Sequence, residues 1–98
     1  MAKKTAKTLA DFKAEYDPDI RIPALINAGL KSLLAEGPEA WEYEIDFIRR
    51  CGPGVGLATM ALYREKFAKH FVEVKHGGKN PKRVWFADVK IAAKARGG

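Results

Sequence analysis

Apolar residues recur at helical spacing along most of the chain and switch to alternation only near its C-terminal end. Residues 1–7 mix small and basic side chains without a pattern and read as a flexible basic arm. Leu9, Phe12 and Tyr16 then follow at intervals of three and four, with Thr8 as an N-cap and Asp11 as its capping-box partner. Asp17-Pro18-Asp19 ends this short helix, because the residue before a proline avoids helical backbone angles. Pro23 suits the first turn of a second helix over residues 23–36, whose apolar face is Ile26, Leu30, Leu33 and Leu34. Gly37 is placed as its left-handed terminator.

A third helix is predicted over residues 38–50. Trp41, Ile45 and Ile48 form its buried stripe, widened by Tyr43 and Phe47. Glu39 and Glu42 lie at the positive end of its dipole, and Arg49 and Arg50 in the last turn. Cys51-Gly52-Pro53-Gly54-Val55-Gly56 is a tight connection that requires positive φ somewhere within it. Residues 57–71 read as a fourth helix packed through Leu57, Met60, Ala61, Phe67 and Phe71, with Arg64, Lys66 and Lys69 on its other side.

The period then becomes two. Val72 and Val74 alternate with Glu73 and Lys75, residues 77–82 are a loop by composition, and Arg83-Val84-Trp85-Phe86-Ala87 favours a strand. The pair reads as a β-hairpin. Of Trp85 and Phe86, one is expected to pack on the helices and the other to be more exposed. Asp88 caps a short last helix over residues 89–96. The expected fold is α+β and mostly helical, a three-helix core plus a C-terminal β-hairpin, with residues 8–96 forming a single domain.

Composition narrows the class. The chain has 98 residues, 47% of them hydrophobic, which supports one modest core. No run of about 18 apolar residues exists and the basic start leads into no apolar segment, so neither a membrane span nor a secretory leader is expected. The single Cys51 excludes an internal disulfide and a cysteine zinc cluster, which suits a reducing cytoplasm. The net charge is +6. It is distributed unevenly: +1 over residues 1–36, −2 over 37–62 and +7 over 63–98. Such asymmetry points to a polyanionic partner at the C-terminal third.

Catalytic readings find little support. Ser32 is the only serine, and neither it nor Cys51 stands in a pattern that pairs it with a base and an orienting group. Cys51 is expected to be a small packing residue, and His70 and His76 surface or hairpin residues. Glu39, Glu42 and Asp46, spaced three and four apart, read as a solvated helix face rather than a cation site. No metal-ligand spacing occurs. The glycine-rich turn lacks the lysine and hydroxyl of a phosphate loop, and a helix precedes it where a dinucleotide fingerprint needs a strand. No enzyme activity, cofactor or metal is expected.

The order of elements carries more. A helix over 38–50, a glycine turn, a helix over 57–71 and a basic hairpin over 71–87, preceded by the helix over 23–36, resembles the winged helix-turn-helix family of DNA-binding domains. The resemblance covers about residues 20–90 and is one of architecture, not of a sequence signature. It implies double-stranded DNA as partner and a transcriptional regulator of bacterial or phage type. The helix over 57–71 would enter the major groove, and the wing over 77–83 would touch phosphates or the minor groove. On that resemblance Thr59, Tyr63, Arg64 and Lys66 face the groove, Arg64 being suited to a guanine edge. Lys69, Lys75, Lys79, Lys82 and Arg83 neutralise phosphates. Regulators of this size commonly pair, and the helix carrying Leu9, Phe12 and Tyr16 is the expected homodimer contact. The reading requires that Glu39, Glu42, Glu44 and Asp46 do not all line the DNA side. Two alternatives stand beside it: a protein-interaction module on the same fold, acting through the acidic helix or hairpin edge, and a basic RNA-binding protein.

Overall fold

The structure, a computed structural model, describes residues 16–75 and 81–97. The basic arm, most of the first predicted helix and the tip of the hairpin lie outside the described residues. The first helix described in full, α1, spans Pro18–Ala35, five residues longer at its start than the periodicity predicts. Two prolines compete to open it, and Pro18 wins because Asp17 stands before it. The Asp17 side chain accepts from the Asp19 N–H at 2.9 Å, so the cap and the proline act together. Pro23 therefore sits inside the helix, where it lacks a backbone donor. The buried stripe is Ile22, Ile26, Leu30 and Leu33, whereas Leu34 is exposed. Gly37, with φ of +142°, ends the helix as expected, its N–H bonding the Leu34 carbonyl.

The predicted helix over 38–50 is corrected. Trp41–Tyr43 form a short strand, β1, and only Glu44–Cys51 are helical, as α2. β1 pairs antiparallel with the strand Lys82–Phe86, β3, in the register Trp41 to Phe86, Glu42 to Trp85 and Tyr43 to Val84. This pairing spans some forty residues of sequence and leaves no mark in helical periodicity. Trp41 and Ile45 are consequently exposed instead of buried, while Phe47 and Ile48 enter the core. Glu39 and Glu42 lie before the helix, so Glu44 and Asp46 occupy the positive end of its dipole.

Gly52 is the residue of the glycine turn that takes positive φ, at +107°. Val55, buried, anchors the turn to the core. The predicted helix over 57–71 is also divided. Helix α3, Leu57–Tyr63, gives way to a 3-10 segment, Arg64–His70, with non-helical angles at Phe67. The bend lets Phe67 and Phe71 both reach Trp85, at ring-centroid distances of 6.4 and 5.1 Å. Met60 and Phe67 are buried, but Leu57 and Ala61 are exposed.

The hairpin pairs β2, Phe71–Val74, with β3, and the sheet order is β1-β3-β2. The central strand divides its two aromatic side chains between the faces. Trp85, fully buried, stacks on Phe47 at 4.5 Å and 11°, while Phe86 lies half-buried on the other side. Helix α4, Val89–Ala95, is capped by Asp88, which accepts from the Lys90 N–H at 2.8 Å. Arg96 at its end donates to the carbonyls of Ala68 and Phe71, both at 3.1 Å, and so fastens it to the 3-10 segment. The molecule is thus α+β and mostly helical, with a small three-stranded antiparallel sheet.

One helix crossing depends on a missing side chain. A Cβ at Gly29 would stand 2.9 Å from the Cys51 Sγ and 3.3 Å from Phe47. Alanine in a helix interior ordinarily gains up to about 1 kcal/mol over glycine. Here overpacking against two buried groups outweighs that gain. Gly29→Ala is expected to cost roughly 1–2 kcal/mol of stability, read as a lower denaturant midpoint. Adding Cys51→Ala, which vacates the space, should recover most of it.

Candidate nucleic-acid interface

The acidic stretch before and within α2 is largely occupied internally. Glu42 accepts from Arg50 through both oxygens, at 2.6 and 2.9 Å. Arg50 also reaches Glu36 at 2.7 Å and the Ser32 hydroxyl at 3.0 Å. The Glu42 hydrogen bonds raise its pKa further above the ordinary guanidinium value, so this cation is fixed in place and in charge. Asp46 lies 3.5 Å from Arg49 on an exposed surface, a pair worth little.

Glu44 is the most deeply placed acid, its side chain only 8% exposed. It accepts from Arg64 Nε and Nη2, both at 3.0 Å, and from the Trp85 indole N–H at 3.0 Å. Arg83 stands 3.8 Å away from it and 3.0 Å from Glu73. The Arg83 Nε has the distance to Glu73 but not the angle of a hydrogen bond, so this contact is coulombic. One carboxylate thereby joins the start of α2, the end of α3 and the central strand.

These pairs sort the residues that the sequence marks as DNA contacts. Arg64 and Arg83 have carboxylate partners within the fold. Tyr63 donates its hydroxyl to Asp19 at 2.7 Å, and that bond raises the phenol pKa. Thr59 is half-buried on α3. Lys66 and Lys69 are exposed on the 3-10 segment, Lys75 follows β2, and Lys82 opens β3. Among the described residues these four lysines have no carboxylate partner. Lys79 lies outside the described residues.

The helix and the hairpin meet at an open groove of about 840 Å³. Ala61, Arg64, Glu65 and Ala68 line one wall; Val72, Glu73, Val74 and Lys75 line the other, with Arg96 at the end. Two surfaces escape the periodicity. Leu57 and Leu62 are 60% and 79% exposed on α3. Trp41 and Tyr43 are 52% and 38% exposed on β1. For the second, the signal is the alternation aromatic–acid–aromatic at residues 41–43, overridden by the longer helical pattern around it.

Cys51 is buried against α1, as a packing residue should be. Burial pushes its thiol up to about 11 from an ordinary value of 9.0. The folded state therefore holds this proton more tightly than the unfolded chain does. The stabilising contribution is complete below pH 9 and disappears as pH rises towards 11. A disulfide reagent at pH 8 should label Cys51 only as fast as the protein unfolds, and stability should decline above pH 9.

His70 donates from Nδ1 to the Phe86 carbonyl at 3.0 Å, linking the end of the 3-10 segment to β3. His76 lies outside the described residues. No group of His, Cys, Asp and Glu among the described residues is arranged to hold a metal ion. No helix among them is long and apolar enough to cross a membrane. Compared with known protein families, with curated proteins and with solved structures, the chain matches none.

Proposed function

We propose that this chain is a winged helix-turn-helix domain that binds double-stranded DNA and acts as a transcriptional regulator. The helix α3 and its 3-10 continuation serve as the major-groove element, and the β2–β3 hairpin as the wing. The observation that carries this reading is the separation of charge by partnership. The acids Glu42 and Glu44 are turned onto arginines, while Lys66, Lys69, Lys75 and Lys82 project into solvent on the two elements that would meet the duplex. Cations without a carboxylate partner are those available to displace counterions from phosphates. The pairing of β1 with β3 supports the same reading, because it fixes the root of the wing to the helix pair.

Roles within the interface follow from the partners. The four lysines position the domain on phosphates, and Thr59 is the base-edge candidate. Arg64, which the sequence favours for a guanine edge, is assigned to the support of α3 instead, since its fork is matched to Glu44. Selection of bound duplexes from a random pool by the purified protein tests the proposal. An enriched motif supports it, and enrichment at no salt concentration defeats sequence-specific binding.

A second reading has its own observation. The outer side of α3 is apolar, with Ala58 and Ala61 between the exposed Leu57 and Leu62. A protein partner suits that surface better than a phosphate backbone does. Duplex binding that lacks sequence preference and vanishes in moderate salt would favour this protein-interaction module.

A further inference from the structure

The sheet has two unlike faces. Strand alternation and the pairing register put Glu42, Phe71, Glu73, Arg83 and Trp85 on the side of the helices. The other side carries Trp41 and Tyr43 from β1, Val72 and Val74 from β2, and Lys82, Val84 and Phe86 from β3. Along the strands this second face bears one charge, the Lys82 ammonium, and no carboxylate. Its aromatic pair is exposed, Trp41 by 52% and Tyr43 by 38%, beside a hollow of about 270 Å³ that reaches Phe86 and Ala95.

We propose that this face is a stacking platform for the bases of single-stranded nucleic acid, with Trp41 and Tyr43 as the platform and Lys82 as the phosphate contact. The two rings meet edge to face, with centroids 5.5 Å apart and planes at 87°. The rings therefore do not stack on each other, and about half of Trp41 and a smaller part of Tyr43 stay open to a further stack. The Lys82 ammonium lies over the Tyr43 ring, 5.4 Å from its centroid, which sets a cation beside the aromatic pair. Unpaired bases stack on exposed aromatic rings whatever their sequence, and a neighbouring lysine meets the phosphate that accompanies each base. A duplex hides its base faces, so it has no use for the Trp41 and Tyr43 rings. Charge selects the occupant: an apolar protein segment gains nothing from Lys82, whereas a polyanion with flat π-faces satisfies both features.

The duplex interface proposed above shares Lys82 with this face but not Trp41 or Tyr43, so substitutions of the two rings test the platform separately. The full chain is titrated with a short oligothymidylate, and in parallel with a duplex of equal length. Trp85 is fully buried, so quenching of tryptophan emission by the single strand reports Trp41. Trp41→Ala and Tyr43→Ala should each weaken single-strand binding about tenfold while leaving duplex affinity within about twofold. Trp41→Phe, which keeps a π-face, should restore most of the affinity. Single-strand affinity that ignores Trp41→Ala and Tyr43→Ala overturns the proposal, as does an equal weakening for the duplex. So does concentration-dependent self-association that requires Trp41, which would give the face to a second copy. If Trp41→Ala melts below the assay temperature, Trp41→Leu and Tyr43→Leu decide by the same comparison.

Discussion

Glu44→Ala is expected to destabilise the fold by about 3–5 kcal/mol, the largest effect of any single polar substitution in this molecule. The carboxylate is 8% exposed and answers the Arg64 fork, the Trp85 indole N–H and the more distant Arg83. Its removal leaves one guanidinium, 18% exposed, with no partner and an indole donor unsatisfied. An uncompensated buried charge costs more than the pair itself contributes, which is why one-sided deletion is severe. For a domain of this size, each kcal/mol moves the melting temperature by roughly 4–8 °C, so a drop beyond about 10 °C in a circular-dichroism melt is expected. Glu44→Gln should fall between, because the amide still accepts from Trp85 but no longer balances Arg64. Deleting both partners, as Glu44→Leu with Arg64→Leu, should be milder than the sum of the single effects. A melt of Glu44→Ala within two or three degrees of the parent would remove Glu44 from the centre of the fold.

The same carboxylate marks the boundary of what is legible along the chain. Features set by near neighbours can be read directly. Asp88 capping α4, Gly37 ending α1 and the pairing of β2 with β3 each depend on residues near in sequence. β1 is not legible, since three residues become a strand only by pairing with Trp85 and its neighbours far along the chain. The division at Phe67 has a similar origin: two phenylalanines must reach one buried indole, and an unbroken helix satisfies them less well. The start of α1 is ambiguous for a local reason, because both Pro18 and Pro23 fit a first turn and the Asp17 cap decides between them. In the candidate site, the exposed lysines are legible because no partner has to be found for them. Arg64 and Arg83 resemble those lysines in sequence, yet Arg64's acid lies 20 residues away and is shared with a tryptophan 41 residues from it.

That distinction yields the second large effect. Replacing Lys66, Lys69, Lys75 and Lys82 together with alanine is expected to weaken duplex binding on the order of a thousandfold at about 0.1 M salt. Each phosphate left without its lysine takes nearly one unit from the slope of log affinity against log salt, so the slope itself should flatten by about three to four. All four side chains are exposed, and the melting temperature should hardly move. Arg64→Ala should behave in the opposite way, with the salt slope retained and stability reduced, because its guanidinium serves Glu44 rather than a phosphate. The two variants separate a cation that binds outward from one that holds the fold together. Should the fourfold variant keep the parent's affinity and slope, the basic elements are not the interface. The duplex is then bound through another surface; only a parent whose duplex binding lacks sequence preference and vanishes in moderate salt passes the role to the exposed leucines of α3 and a protein partner.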